Sequence, residues 1–285
     1  MKRIALLCCL IFAALTRFSP LALAQGGPPF RSDDSDTPGN KVWEINTVLV
    51  GDRNPSEGSY SVPNIDVNYG LGNRIQLKYE MPLGIHESRG TSTYIAAGLG
   101  NSLLGFKWRF YSHHPKSEVS GQINKKESNF GVAIYPQLVL SNPTSSVRRN
   151  IVERGPQLLI PVTANAKIGP IRISGEFGYW FTNKDVSNSW IRGVIVGHEF
   201  RKKTELSLEL YDQADTGKTR DEPKARETTL GIGFRTPMVR DGSVWFMGMG
   251  GRSLVAVTPT NGQPRWIASA GFHILAGKRR TNRSD

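Results

Sequence analysis

Past residue 40 the chain alternates, and that alternation constrains its fold more than any other feature. From Arg74 to Ile85 the apolar residues Ile75, Leu77, Tyr79, Met81, Leu83 and Ile85 take every second place, with Arg74, Gln76, Lys78 and Glu80 between the first four. A period of two is the signature of a strand with one apolar face, and Pro82 inside the run excludes a helix. The dyad returns in Ile65, Val67 and Tyr69, and again in Leu104, Phe106, Trp108 and Phe110. Extended along the chain, it predicts strands at Val42–Val50, Ser61–Tyr69, Arg74–Leu83, Ser102–Tyr111, Asn129–Leu140 and Gln157–Ala166. Six more follow at Pro170–Phe181, Trp190–Phe200, Glu205–Tyr211, Glu227–Arg235, Ser243–Gly251 and Trp266–Leu275. Most approach the roughly 9–11 residues that a tilted strand needs to cross a bilayer.

The connections supply an independent signal. Gly70–Asn73, Lys167–Gly169 and Arg201–Thr204 are tight, whereas Gly84–Asn101, Ser141–Pro156, Asp212–Arg226 and Arg252–Arg265 are long and polar. Short turns alternating with long loops are what an outer-membrane barrel shows when both ends of the strand series lie on the periplasmic side. The long Ser112–Ser128 connection, on the short-turn side, departs from that pattern. Pro136 and Pro161 fall inside adjacent strands, so each requires a bulge or a shortened strand. Ser189–Phe200 reads equally well in either register.

Ahead of the strands, Met1–Arg3 is cationic, Ile4–Leu15 is almost continuously apolar, and Ala22-Leu23-Ala24 has the small residues of a cleavage site. The apolar run is about a dozen residues, where a spanning helix needs about 20. It therefore reads as a cleaved secretory signal. Cys8 and Cys9 lie inside it, so neither a disulfide nor a thiolate site is expected beyond it. No later apolar run reaches spanning length, which leaves a soluble exported protein or a closed β-barrel. The expected organisation is a signal peptide at 1–24, a flexible leader at 25–40, an outer-membrane barrel at 41–276 and a basic tail at 277–285.

Trp43, Tyr69, Trp108, Phe110, Tyr179, Trp180, Phe181, Trp190, Phe200, Trp245 and Trp266 gather near strand ends, as aromatic girdles do at headgroup level. A soluble β-sandwich would bury such rings in its core, and only strand length and loop asymmetry together argue against it.

Specific residues carry a family resemblance. Gly27-Pro28-Pro29-Phe30-Arg31-Ser32-Asp33-Asp34, then Trp43-Glu44 and Pro63-Asn64-Ile65-Asp66-Val67-Asn68-Tyr69-Gly70-Leu71, resemble the start of the bacterial outer-membrane transporter family named for the meta-pathway of phenol degradation. Gly105-Phe106-Lys107-Trp108-Arg109-Phe110 is similar to that family's Gly-x-Lys-Tyr-Arg-Phe strand, and Gly178-Tyr179-Trp180 and Leu208-Glu209-Leu210-Tyr211 to later ones. Where the family carries an acidic residue before the Lys-Tyr-Arg strand, this chain has Asn101. The resemblance implies an outer-membrane barrel that passes small hydrophobic or aromatic compounds.

The net charge of +12, from 36 Lys and Arg against 24 Asp and Glu, has a place in such a barrel. Arg74, Lys78, Lys107, Arg109, Arg172 and Arg235 alternate with lipid-facing residues and so point inward, opposite Asp66, Glu80, Glu176, Glu205 and Glu209. Mixed rows of charge either hydrate a lumen and tune ion passage or pair and close it. The other basic clusters, Arg148-Arg149, Arg201-Lys202-Lys203 and Lys278-Arg279-Arg280, suit phosphate-rich headgroups, and nucleic acid is not an expected partner of an exported chain.

Three further motifs have ordinary explanations. His86-Glu87-Ser88 has the His-x-Ser spacing of an outer-membrane phospholipase, but a polar loop accounts for it without an orienting third group. His113-His114 point apart on an extended chain. Asp33-Asp34-Ser35-Asp36 lacks the spaced oxygens of a calcium loop and reads as a disordered acidic leader.

The expected fold is all-β, an antiparallel up-and-down transmembrane barrel of about 12 strands. The expected function is an outer-membrane channel for small molecules, with Arg74, Lys78, Glu80, Lys107, Arg109, Arg172, Glu176 and Arg235 lining the lumen and no catalytic residue, cofactor or metal. Its expected partners are the bilayer and lipopolysaccharide, a small solute and the barrel-assembly machinery. The alternatives are a lipid-modifying enzyme at the rim and a structural lipopolysaccharide-binding barrel with a closed lumen.

Overall fold

The computed structural model describes residues 27–90, 92–113, 128–140, 144–183, 187–200, 203–217, 224–257 and 264–277. The expected signal peptide, most of the Ser112–Ser128 connection and the tail beyond Gly277 lie outside them, as do His114, Arg201 and Lys202.

Fourteen strand segments form one sheet: β1 (Trp43–Arg53), β2 (Glu57–Leu71), β3 (Ile75–Arg89), β4 (Thr93–Leu99), β5 (Ser102–His113), β6 (Ser128–Ile134), β7 (Gln137–Leu140), β8 (Gln157–Ile168), β9 (Ile171–Phe181), β10 (Ser189–Glu199), β11 (Glu205–Asp215), β12 (Arg226–Pro237), β13 (Val244–Val257) and β14 (Trp266–Ala276). All pair antiparallel. β14 returns to β1 along its whole length, from Trp43 opposite Ala276 to Arg53 opposite Trp266, so the sheet has no free edge there. β4 and β5 both pair with β3 and form one broken stave, while β6 and β7 form another between β5 and β8. The result is a closed barrel of 12 staves.

The second break sits at Pro136. Its carbonyl accepts from Phe106 N at 3.0 Å, and Tyr135 N donates to the Pro161 carbonyl at 3.0 Å, so the wall stays bonded across it. Pro161 lies inside an uninterrupted β8, opposite Gly178, where a side-chain carbon would come within 2.9 Å of the proline ring. The glycine makes room for the proline in the wall.

Alternation fixes the two faces. In β10, Ile191 and Ile195 are buried while Trp190, Val194 and Val196 are exposed outward, which resolves the register that the sequence left open. In β11, Leu206, Leu208 and Leu210 face out and Glu205, Ser207, Glu209 and Tyr211 face in. Exposed aliphatic side chains between polar ends make a surface that water does not favour and hydrocarbon does.

The strand series begins and ends at one end of the barrel, the turn end. There Gly72, with φ +65°, and Gly169, with φ +58°, close tight turns in the left-handed region that a side chain would strain. Longer connections occupy the opposite, loop end, including a short helix, Thr144–Arg148. The segment Gly84–Asn101, expected to be a loop, is largely wall: β3 and β4 continue pairing from Leu83–Leu99 to Arg89–Thr93. It breaks the apolar alternation at His86 and Glu87, which conceals the strand in the sequence.

Two rings assigned to the girdle are misplaced by the sequence reading. Trp180 is buried inward at 6% exposure, and Trp245 faces the lumen below the Arg235 guanidinium. Most of the others stand outward in pairs, such as Trp43 with Tyr69 and Phe177 with Trp190.

Candidate functional site: the lumen and its N-terminal segment

The acidic segment expected as a solvated leader is packed inside the barrel. The chain enters from the turn end, where Thr37 Oγ1 donates to the Asn73 carbonyl, and runs inward so that Arg31, Ser32, Asp33 and Ser35 are buried. The composition, polar and rich in aspartate, does suit water. What overrides it is a lumen wall that offers a partner to almost every polar group.

The partners come from opposite walls. Glu209 of β11 accepts from Ser32 N at 2.7 Å and Arg31 N at 3.2 Å, and Glu176 of β9 accepts from Asp33 N at 3.2 Å. Lys107 of β5 donates to Asp33 Oδ1 at 2.8 Å and to the Asp36 carbonyl at 3.2 Å, with its ammonium 4.6 Å from the Tyr135 ring centroid. Arg109 and Arg172 each reach the Asp36 carboxylate at 3.2 Å. Ser35 is hydrogen-bonded to Asn165.

Toward the loop end, the Arg31 guanidinium lies 4.2 Å over the Tyr211 ring and 3.1 Å from Glu227. Glu227 also binds Arg265, which binds Asp52 at 3.1 Å. Apolar contacts complete the fit. Phe30 lies against Gly233, where a side-chain carbon would come within 2.6 Å of its ring, and Gly193 gives room to Ser32.

Seven of the eight residues expected to line the lumen face it. Lys107, Arg109, Arg172 and Glu176 hold the segment. Lys78 pairs with Glu80 at 2.9 Å and Asp66 at 3.6 Å, and Arg235 pairs with Glu205 at 2.9 Å. Arg74 does not: it is exposed in the turn before β3, and Gln76 takes the innermost position of that row. The period was right, but the strand starts one residue later. Sequence reasoning missed Arg31, Asp33 and Asp36 because they belong to no periodic element, and Asp52, Glu227 and Arg265 because each sits at a strand end.

The interior has two further regions. On the turn-end side of the segment lies a cavity of about 470 Å³, lined by Glu44, Asp66 and His273 on one wall and by Lys167, Arg172 and Arg235 on the other. On the loop-end side, inward-facing Leu103, Val139, Leu159, Trp180, Ile191 and Tyr211 form a buried apolar cluster across β5 to β11. The interior thus carries a charged cavity toward the turn end and, toward the loop end, an apolar cluster on the β5–β11 wall beside the Arg31–Glu227–Arg265–Asp52 network.

The rim motif lies within the β2–β3 ladder. Glu87, between His86 and Ser88, accepts from Tyr60 and Arg89. His86 and Ser88 stand opposite Ser59 and Glu57 in the β2–β3 ladder.

No protein-family model matches the chain, and no curated protein matches it in sequence. Among solved structures, the COG4313 outer membrane channel from Pseudomonas putida F1 is similar over 88% of this chain and 100% of its own, with a TM-score of 0.64 and 14% identity. The translocator domain of the autotransporter NalP from Neisseria meningitidis covers 83% of this chain and 88% of its own at a TM-score of 0.46 and 8% identity. The first likeness fixes the fold: it is that of an outer-membrane β-barrel.

Proposed function

We propose that this chain is a channel of the Gram-negative outer membrane that passes small molecules, hydrophobic or aromatic ones among them, and that residues 27–38 close it at rest. The turn end then faces the periplasm and the loop end the exterior. The observation that carries this reading is the layering of the interior: an apolar cluster, then the bound segment, then a charged cavity opening toward the turn end. A purely hydrophilic pore has no use for Trp180 and Leu159 facing inward, and a structural barrel has no use for a cavity below a plug. The sequence resemblance to the transporter family and the likeness in fold to a protein described as an outer membrane channel support the same reading.

No covalent step belongs to it. Lys107, Arg109, Arg172, Glu176 and Glu209 hold the segment, while Lys78, Glu80 and Arg235 set the charge that a passing solute meets. Lipopolysaccharide in the outer leaflet and the barrel-assembly machinery are the partners that the location implies.

The test is planar-bilayer conductance and liposome uptake of an aromatic solute, comparing the intact chain with one lacking residues 27–38. Larger and longer openings, with faster uptake in the shortened chain, are expected. A folded shortened chain that neither conducts nor takes up solute overturns the channel, and the closed structural barrel then stands.

A further inference from the structure

The outward face should be apolar at every position that meets lipid, yet three charged residues from three neighbouring strands converge on it. Arg192 of β10 stands directly opposite Asp212 of β11, and Thr228 of β12 stands opposite Asp212 on the other side. Asp212 shares its face with Leu206, Leu208 and Leu210, and Arg192 shares its face with Trp190 and Val194, all exposed outward. The cluster therefore lies outside the barrel and takes no part in the lumen.

Its geometry is asymmetric in charge. Arg226 Nε donates to Asp212 Oδ1 at 2.9 Å, Thr228 Oγ1 donates to the same oxygen at 2.7 Å, and Arg192 Nη1 lies 3.9 Å from Oδ2. One carboxylate with an 11% exposed side chain thus fixes two guanidiniums whose side chains are each 54% exposed. The aspartate neutralises one positive charge and leaves the other, and the exposed edges of both side chains lie on the outward face.

Height and neighbours identify what meets those edges. The cluster lies in the loop-end half of β10, β11 and β12, two register pairs along the strands from Trp190, which stacks on Phe177 at 5.0 Å and meets Tyr179 edge-on at 4.6 Å. Arg252 of β13, on the same face, lies 5.0 Å over Trp266. Aromatic rings and arginines at one height mark the level of lipid headgroups rather than of acyl chains.

Resting on the reading that the loop end faces outward, we infer that Arg192 and Arg226 form a binding site for a phosphate monoester on an outer-leaflet glycolipid, with Asp212 and Thr228 as the positioning residues. Two guanidinium forks meet the oxygens of one phosphate by charge-assisted hydrogen bonds. The adjoining apolar face of Leu208, Leu210 and Val194 receives the acyl chains. A free phosphate satisfies the first requirement alone, so the two sources separate by experiment.

The test uses the full-length barrel in detergent and reads bound lipid by native mass spectrometry, with lipid A, dephosphorylated lipid A and inorganic phosphate as probes. Wild-type protein should retain lipid A, and R192Q/R226Q should lose retention by about tenfold. Dephosphorylated lipid A should bind the wild type no better than lipid A binds that double variant. Asp212→Asn, which keeps both guanidiniums but removes the carboxylate that positions them, should lose less retention than R192Q/R226Q. Equal retention by R192Q/R226Q, a loss in Asp212→Asn as large as in the double variant, or inorganic phosphate displacing lipid A at equal concentration overturns the site. Conductance of the same samples judges the channel separately, because these residues face away from the lumen.

Discussion

Lys107 Nζ lies 2.8 Å from Asp33 Oδ1, both side chains almost fully buried, and this contact joins the barrel wall to the segment that fills it. Breaking one partner of a buried ion pair is costly, because the other is left charged without compensation, by about 3–5 kcal/mol. Lys107→Glu places two carboxylates in contact, and the segment should leave the wall. Conductance should rise in planar bilayers and ion preference should shift toward cations; unchanged conductance and selectivity would show that Lys107 does not hold the closed state.

The same opening should follow from a change that carries no charge. Gly193 faces Ser32, and a side chain there has no space while the segment is seated. Gly193→Leu should therefore reproduce the conductance of the chain lacking residues 27–38 and leave heat-dependent gel migration intact. If it conducts like wild type, the segment does not pass that point of the wall.

At the loop end, Glu227 binds both Arg31 and Arg265, and Arg265 binds Asp52. Glu227→Gln leaves two arginines in a confined space with one aspartate. The barrel should unfold at lower denaturant concentration, by about 3 kcal/mol, and Glu227→Gln combined with Arg31→Gln should recover part of the loss. A double variant as unstable as the sum of the two single ones would show that the residues do not act together.

The outward face offers a test of the barrel alone. Leu208 is 53% exposed on β11, while its neighbour Ser207 is buried inward. Leu208→Arg should destabilise folding into lipid vesicles by about 2–4 kcal/mol, the range for arginine near the bilayer midplane. Little or no loss would place Leu208 in water and reject the membrane-facing assignment.

Much of the fold was legible before any tertiary contact was known. Ile75, Leu77 and Tyr79 alternating with Gln76, Lys78 and Glu80 settle which side of β3 faces lipid, because a side chain's direction from a strand depends on its own backbone alone. Tight turns such as Gly70–Asn73 likewise announce themselves through residues that tolerate left-handed dihedrals. On these local rules the sequence determined a 12-stave barrel, its two faces and most of its inward charges.

Only the tertiary structure decided what those inward charges do. Arg31 and Glu227 meet across 196 residues of chain, Asp33 and Lys107 across 74, and Asp34 to Asp36 have no periodicity to reveal a destination. Asp212 and Arg192 are equally remote from any local signal, since each breaks the apolar pattern of its own strand and makes sense only beside the other. Alternation fixes direction from one strand, but contacts across a cylinder depend on its closure and stagger, and those arise only when every strand has found its neighbour.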